Sequence, residues 1–128
     1  MDNTKELRQI IQLLNKSGMN EVMFPSTTVG TADANSSALL VDTTKLVFGN
    51  MNMQVTWTGF STTDATVKLQ SSNDGSNWID VTDSTITLNA ASGTLNVVAA
   101  YAASQYVRVA FTKNANAAGT FGVILSIK

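Results

Sequence analysis

Apolar residues recur at two different periods along this chain, and the change falls near residue 19. Leu7, Ile10, Ile11 and Leu14 stand at i, i+3, i+4 and i+7, the spacing of one helix face, and Leu13 widens the stripe. Asn3 or Thr4 supplies an N-cap, Glu6 follows Asn3 by three, Lys16 suits the negative end of a helix dipole, and Gly18 stands where a helix ends. The spacing predicts a helix over 4–17, in a helical arm of residues 1–19. A helix of that length is marginal by itself in water, so its stripe needs a partner. Either it covers an end of its own domain, or it packs on copies of itself or on another protein. The second is the expectation, because six of the chain's 17 charged residues fall in its first 21 positions.

Beyond the arm the period is two. Met51, Met53, Val55 and Trp57 alternate with Asn52, Gln54, Thr56 and Thr58. Val67 and Leu69, Ile86 and Leu88, and Leu95 and Val97 follow the same rule. Val107, Val109 and Phe111 alternate with Tyr106, Arg108 and Ala110, and Phe121, Val123, Leu125 and Ile127 with Gly122, Ile124 and Ser126. These are strands with one face in a core. Shorter candidates lie at 22–24, 39–41 and 46–48. Turn residues at 49–50, 73–76, 92–93 and 114–119 punctuate the series. Pro25 is expected at the end of an early strand, where a missing N–H is tolerable. About eight strands in one such domain predict a single antiparallel β-sandwich over 20–128, of the jelly-roll or galactose-binding-like kind.

Composition narrows the function. The 128 residues suffice for one domain with a real core. Ser, Thr and Asn make up roughly a third of them, which suits short strands and tight turns. Eight basic and nine acidic residues give a net charge of −1, so nothing drives binding to nucleic acid or to an anionic membrane. Histidine and cysteine are both absent. That removes the triads and dyads of most hydrolases, thiolate nucleophiles, disulfides, and imidazole or thiolate metal sites. No enzyme activity, metal or cofactor is expected. No apolar run reaches the roughly 20 residues of a membrane span, and the polar start is not expected to be a signal peptide.

The most distinctive motif is SSNDGSNWIDV at 71–81, in which Asp74-Gly75 is expected to make a tight hairpin turn with Trp78 folded over the sandwich edge. With SQYVRVAFT at 104–112, it resembles the "S-x-D-G-x-x-W" hairpin and later "YVR" strand of discoidin-like, galactose-binding-like β-sandwiches. The same pair is similar to segments of small bacteriophage virion proteins, which often end in a strand like 119–128. Secreted discoidin domains usually carry a disulfide and a signal peptide; virion proteins need neither, since they fold in the bacterial cytoplasm. The resemblance therefore implies a structural virion protein of capsid-decoration, head-fibre or tail-associated type. Its partners would be itself, most plausibly as a trimer like phage fibres, and other virion proteins.

Two groups of residues are candidates for contact. An assembly interface would use Leu7, Ile10, Ile11 and Leu14 together with Tyr106 and Arg108, whose parity points them away from the core. For Arg108 the bland alternative is a solvated side chain lying along apolar surface. A ligand loop would use Asn73, Asp74, Trp78 and Tyr101, and would make the chain a carbohydrate-binding module, on a host glycan for example. Asp74, Asp80 and Asp83 are close in sequence, but calcium needs six to eight oxygens from several directions, and Asp74 has a simpler role in the turn. Asp64, Asp74, Asp80 and Asp83 show no spacing that suggests a glycosidase pair.

Overall fold

A computed structural model describes residues 19–30, 32–41, 49–61, 65–100, 105–115 and 118–128. The helix predicted over 4–17, its stripe Leu7, Ile10, Ile11 and Leu14, the candidate strand at 46–48, Asp64 and Tyr101 all lie outside the described residues.

The described chain is mainly β, with ten strands and no helix. In order they are β1 (Met19–Thr28), β2 (Ala34–Asn35), β3 (Leu39–Leu40), β4 (Asn50–Thr58), β5 (Ala65–Ser72), β6 (Ile79–Asp80), β7 (Ile86–Leu88), β8 (Gly93–Ala100), β9 (Tyr106–Thr112) and β10 (Thr120–Ile127). All described pairings are antiparallel. One sheet runs β1-β10-β4-β8; in the other, β2 and β3 flank β9 on one side, and β5 follows with β6 and β7 along its far edge. β2 with β3, and β6 with β7, are each one interrupted edge strand, which reconciles the ten segments with the eight positions expected.

Alternation explains which face each strand buries. β4 alternates without a break: Met51, Met53, Val55 and Trp57 are buried and their neighbours exposed. Ala65, Val67 and Leu69 of β5 and Val107, Val109 and Phe111 of β9 turn inward from the second sheet. The two inner faces meet at Phe111 of β9 and Phe121 of β10, whose rings stack with centroids 4.1 Å apart and 13° between planes. Phe24 approaches Phe121 edge-on at 5.0 Å. Trp57, 2% exposed, places its indole N–H 2.9 Å from the Ala90 carbonyl, so the ring's one polar group is satisfied inside the core. At the end of β10, Gly119 has φ of 108°, and a Cβ there would lie 2.6 Å from the Phe60 ring and 2.7 Å from the Thr58 carbonyl oxygen. Only glycine fits that position.

Four expectations need correction. Pro25 lies inside β1, not at its end. β1 is an edge strand paired only to β10 among the described residues, and its register breaks between Val22 and Phe24 and again between Phe24 and Thr27. An irregular edge is where a strand tolerates proline. Leu95 and Val97 have the inward parity predicted, but Leu95 is 38% exposed and Val97 half-buried, because among the described residues β8 is the sheet's outer strand and only the short β7 reaches toward it. The 73–78 connection is wider than a two-residue turn. Gly75, with φ of 75°, is its one left-handed residue, and Asp74 is not left-handed. Tyr106 has the outward parity expected, yet it is half-buried, because its ring lies over Gly75, where a Cβ would stand 3.7 Å from it.

Candidate interaction surfaces

The outer face of the second sheet gathers most of the described residues singled out from sequence. Register brings Gln70 of β5 opposite Arg108 of β9 on one side and Asp80 of β6 on the other. Arg108 Nε donates to Gln70 Oε1 at 2.8 Å, Gln70 Nε2 donates to Asp80 Oδ1 at 2.8 Å, and Lys68 Nζ donates to Asp80 Oδ2 at 2.9 Å. The guanidinium of Arg108 also lies over the Trp78 ring, 4.4 Å from its centroid. Trp78, Arg108, Gln70, Asp80 and Lys68 thus form one continuous row across the sheet. The hydrogen bond from Gln70 and that from Lys68 hold the Asp80 carboxyl below its ordinary pKa. One face of the Trp78 ring is thus taken by an arginine of the same chain.

Beside this row the 73–78 turn is braced from within. Asp74 Oδ1 accepts from the backbone N–H groups of Ser76 and Asn77, both at 2.8 Å, and from the Ser72 hydroxyl at 2.9 Å; Oδ2 accepts from Asn77 Nδ2 at 2.7 Å. The buried Ser72 hydroxyl oxygen in turn accepts from the N–H groups of Asp74 and Gly75. The N–H groups of Asn77 and Ser76 hold the Asp74 carboxyl far below the usual carboxylate range. Asp74 is therefore the internal acceptor of its own turn. Asn73 lines a shallow depression with Asp74, Asn77 and Ile79, and Ile79 is 73% exposed. Among the described residues no three acidic side chains converge as a metal group would require. No helix there is long and apolar enough to cross a membrane.

The outer face of the first sheet has a different character. Its rows read, from β1 through β10 and β4 to β8, Thr28, Thr120, Thr58; then Gly122, Thr56, Thr94; then Val22, Ile124, Gln54, Asn96; then Asn20, Ser126, Asn52, Val98. None of these four rows contains a charged residue, but the next row sets Lys128 against Asn50, and Lys128 lines a shallow depression on this face with Asn52, Val98 and Ser126. Hydroxyls pair along it, Thr56 with Thr94 at 3.2 Å and Thr58 with Thr120 at 3.1 Å, and Val22, Ile124 and Val98 remain 61%, 42% and 60% exposed. Sequence reading found these residues as the polar half of each strand. It missed that four strands align them into four successive uncharged rows, because alternation does not reveal strand order.

It also missed two serines. Ser84 is fully buried between β6 and β7; its hydroxyl accepts from the Leu69 N–H at 3.1 Å and donates to the Val81 carbonyl at 2.7 Å. Ser36, between β2 and β3, accepts from the Val109 N–H at 2.9 Å in the same manner. Each hydroxyl supplies an acceptor where its edge strand is interrupted. A serine in a Ser- and Thr-rich chain carries no signal that would single it out.

No family model and no curated protein matches the chain. Solved structures with a similar arrangement include the adhesin domain of Lys-gingipain from Porphyromonas gingivalis, at TM-score 0.49 and 11% identity, over 87% of this chain and 73% of that one. The C-terminal CBM6 of LamC, a marine laminarinase from Zobellia galactanivorans, matches at TM-score 0.49 and 8% identity, over 90% and 95%. A variant of CBM29-2, a family 29 carbohydrate binding module, matches at TM-score 0.43 and 11% identity, over 87% and 86%.

Proposed function

We propose that this chain is a structural protein of a bacteriophage virion, of capsid-decoration, head-fibre or tail-associated type, that works by packing against copies of itself and against other virion proteins. The virion setting rests on the resemblance of segments 71–81 and 104–112 to small virion proteins. The assembly role is carried by one observation, the four uncharged rows on the outer face of the first sheet. Burying those rows against a copy of itself desolvates no charge while Lys128, at the end of the face, stays in water, so the usual penalties of a polar interface are small. The strand order supports a jelly-roll reading of the sandwich, since the chain passes between the sheets at most of its connections. Residues 1–18 join the sandwich at Met19, at the outer edge of the same sheet. There the stripe of Leu7, Ile10, Ile11 and Leu14 would clamp the assembly, as a trimer in the fibre-like case. The role involves no catalytic step, and its place is the virion, after synthesis in the bacterial cytoplasm.

Light scattering on the full chain tests this reading. A defined oligomer is expected, with a smaller mass for the Leu7→Ser, Ile11→Ser double variant. A monomer at every concentration would overturn it.

A second reading, a carbohydrate-binding module, is favoured by the row from Trp78 to Lys68, where an aromatic ring stands beside several hydrogen-bonding side chains. A glycan would have to displace Arg108 to reach the ring face. Binding on a glycan array that is lost in Trp78→Ala would favour this reading over the first.

A further inference from the structure

A β-sandwich of two open sheets has four edges, and natural proteins blunt each one to prevent unwanted strand pairing. Three of the four are blunted here. β1 carries Pro25, Glu21 and two breaks in register. The β2–β3 edge is two two-residue strands separated by Ser36, and the β6–β7 edge is equally broken and carries Asp80. The fourth edge is β8, Gly93–Ala100. It is eight residues long and has no proline or charge. Its register to β4 is continuous from Trp57↔Gly93 to Asn50↔Ala100. Among the described residues nothing pairs with its outer side. Leu95 and Val98 are exposed on its two faces.

We infer that the edge of β8 left unpaired among the described residues is a strand-pairing site for β8 of a second copy, joining two four-stranded sheets into one continuous sheet across a two-fold axis. The inference rests on the self-assembly reading and names the contact that reading leaves open; where the N-terminal stripe makes trimers, the two-fold contact joins two of them into a hexamer. The row of backbone N–H and C=O groups along an unpaired edge is a template for another extended strand. The sequence of β8 makes its own copy a fitting one. In an antiparallel pair centred on Asn96, Leu95 faces Val97 of the partner subunit on the core side, and Thr94 faces Val98 of the partner subunit on the outer side. Every opposed pair is uncharged, and the half-exposed Leu95 gains cover. The uncharged rows on the outer face of the sheet then double in width.

The chain has no native cysteine, which makes a direct test available. Asn96→Cys of the full chain places the thiols on the expected axis, Val97→Cys one residue from it, and Ser76→Cys on an exposed turn away from both the β8 edge and the outer face of the first sheet. Directly opposed residues in an antiparallel pair have Cβ atoms roughly 4.5–5.5 Å apart, near disulfide range. Under mild oxidation, Asn96→Cys is expected to form a covalent dimer quickly and nearly completely, while Ser76→Cys stays mostly uncrosslinked. Far-ultraviolet circular dichroism confirms that each variant is folded. If the chain is oligomeric by light scattering and neither β8 variant outpaces Ser76→Cys, edge pairing is wrong and self-assembly stands. If the chain is monomeric by light scattering, both are wrong.

Discussion

Arg108 on β9 and Trp78 on the connection after β5 meet face on, with the guanidinium carbon 4.4 Å from the ring centroid. Thirty positions of sequence separate them, and the β5–β9 register brings them together by setting Gln70 beside Arg108. Both side chains are half-buried, so the contact is worth about 0.5–1 kcal/mol, the range for a partly exposed cation over an aromatic ring. A double-mutant cycle with Trp78→Ala and Arg108→Ala, read by urea denaturation, should return a coupling of that size. Arg108→Lys should lose most of it, because an ammonium cannot stack on the ring and also reproduce the Nε–H bond to Gln70.

The buried Ser84 hydroxyl makes a sharper prediction. In Ser84→Ala the Leu69 N–H loses its acceptor inside the protein, which costs about 1–3 kcal/mol. The midpoint of denaturation should fall without a change in slope. Ser76→Ala, at an exposed position that offers only its backbone N–H to Asp74, should be nearly neutral.

Gly119→Ala should be among the most damaging single changes in the sandwich. The left-handed backbone alone costs an L side chain about 1–3 kcal/mol, and the new methyl group would press on the Phe60 ring and the Thr58 carbonyl. Thermal denaturation compared with Gly30→Ala, where nothing lies within 4 Å of the added atom, separates this strain from a general loss of glycine.

Acid should weaken the fold through Asp74 and Asp80. Both carboxyls have depressed pKa values in the folded chain, Asp74 mainly through the N–H of Asn77 and Asp80 mainly through the amide of Gln70. A depressed folded pKa means that the native state holds the ionised form more tightly than the unfolded state does. The stability this brings is present above the unfolded value near 4 and is lost as pH falls through the folded one. Urea midpoints should therefore drop below about pH 4. Asp74→Asn should lower stability near neutral pH and flatten the acid limb; an unchanged limb would mean that these hydrogen bonds do not distinguish the two states.

Much of this fold is legible in the sequence, and the reason is physical. In β4, β9 and β10 one face meets the core and the other meets water, so the two-residue period appears directly as Met51, Met53, Val55, Trp57 and as Phe121, Val123, Leu125, Ile127. Legibility fails where burial is incomplete. Leu95 has the right parity and little cover, because an outer strand has a neighbour on one side only. Pro25 reads as a terminator, yet an irregular edge strand accommodates it. At the candidate surfaces the sequence identifies Trp78, Asp74, Tyr106 and Arg108 as unusual residues. It does not reveal that Arg108 caps Trp78, or that Asp74 is consumed by its own turn, because both depend on register and side-chain direction. The uncharged rows are visible only once strand order is known.

The central claim is self-assembly through rows of uncharged residues, and sedimentation of the full chain at low and high salt tests it most directly. At about 1 M salt the screening length is only about 3 Å, so assemblies held by exposed ion pairs loosen while apolar and hydrogen-bonded contacts persist. The account predicts one defined oligomer whose mass is the same at both salt concentrations. A monomer in both, or an oligomer that dissociates as salt is raised, would contradict it.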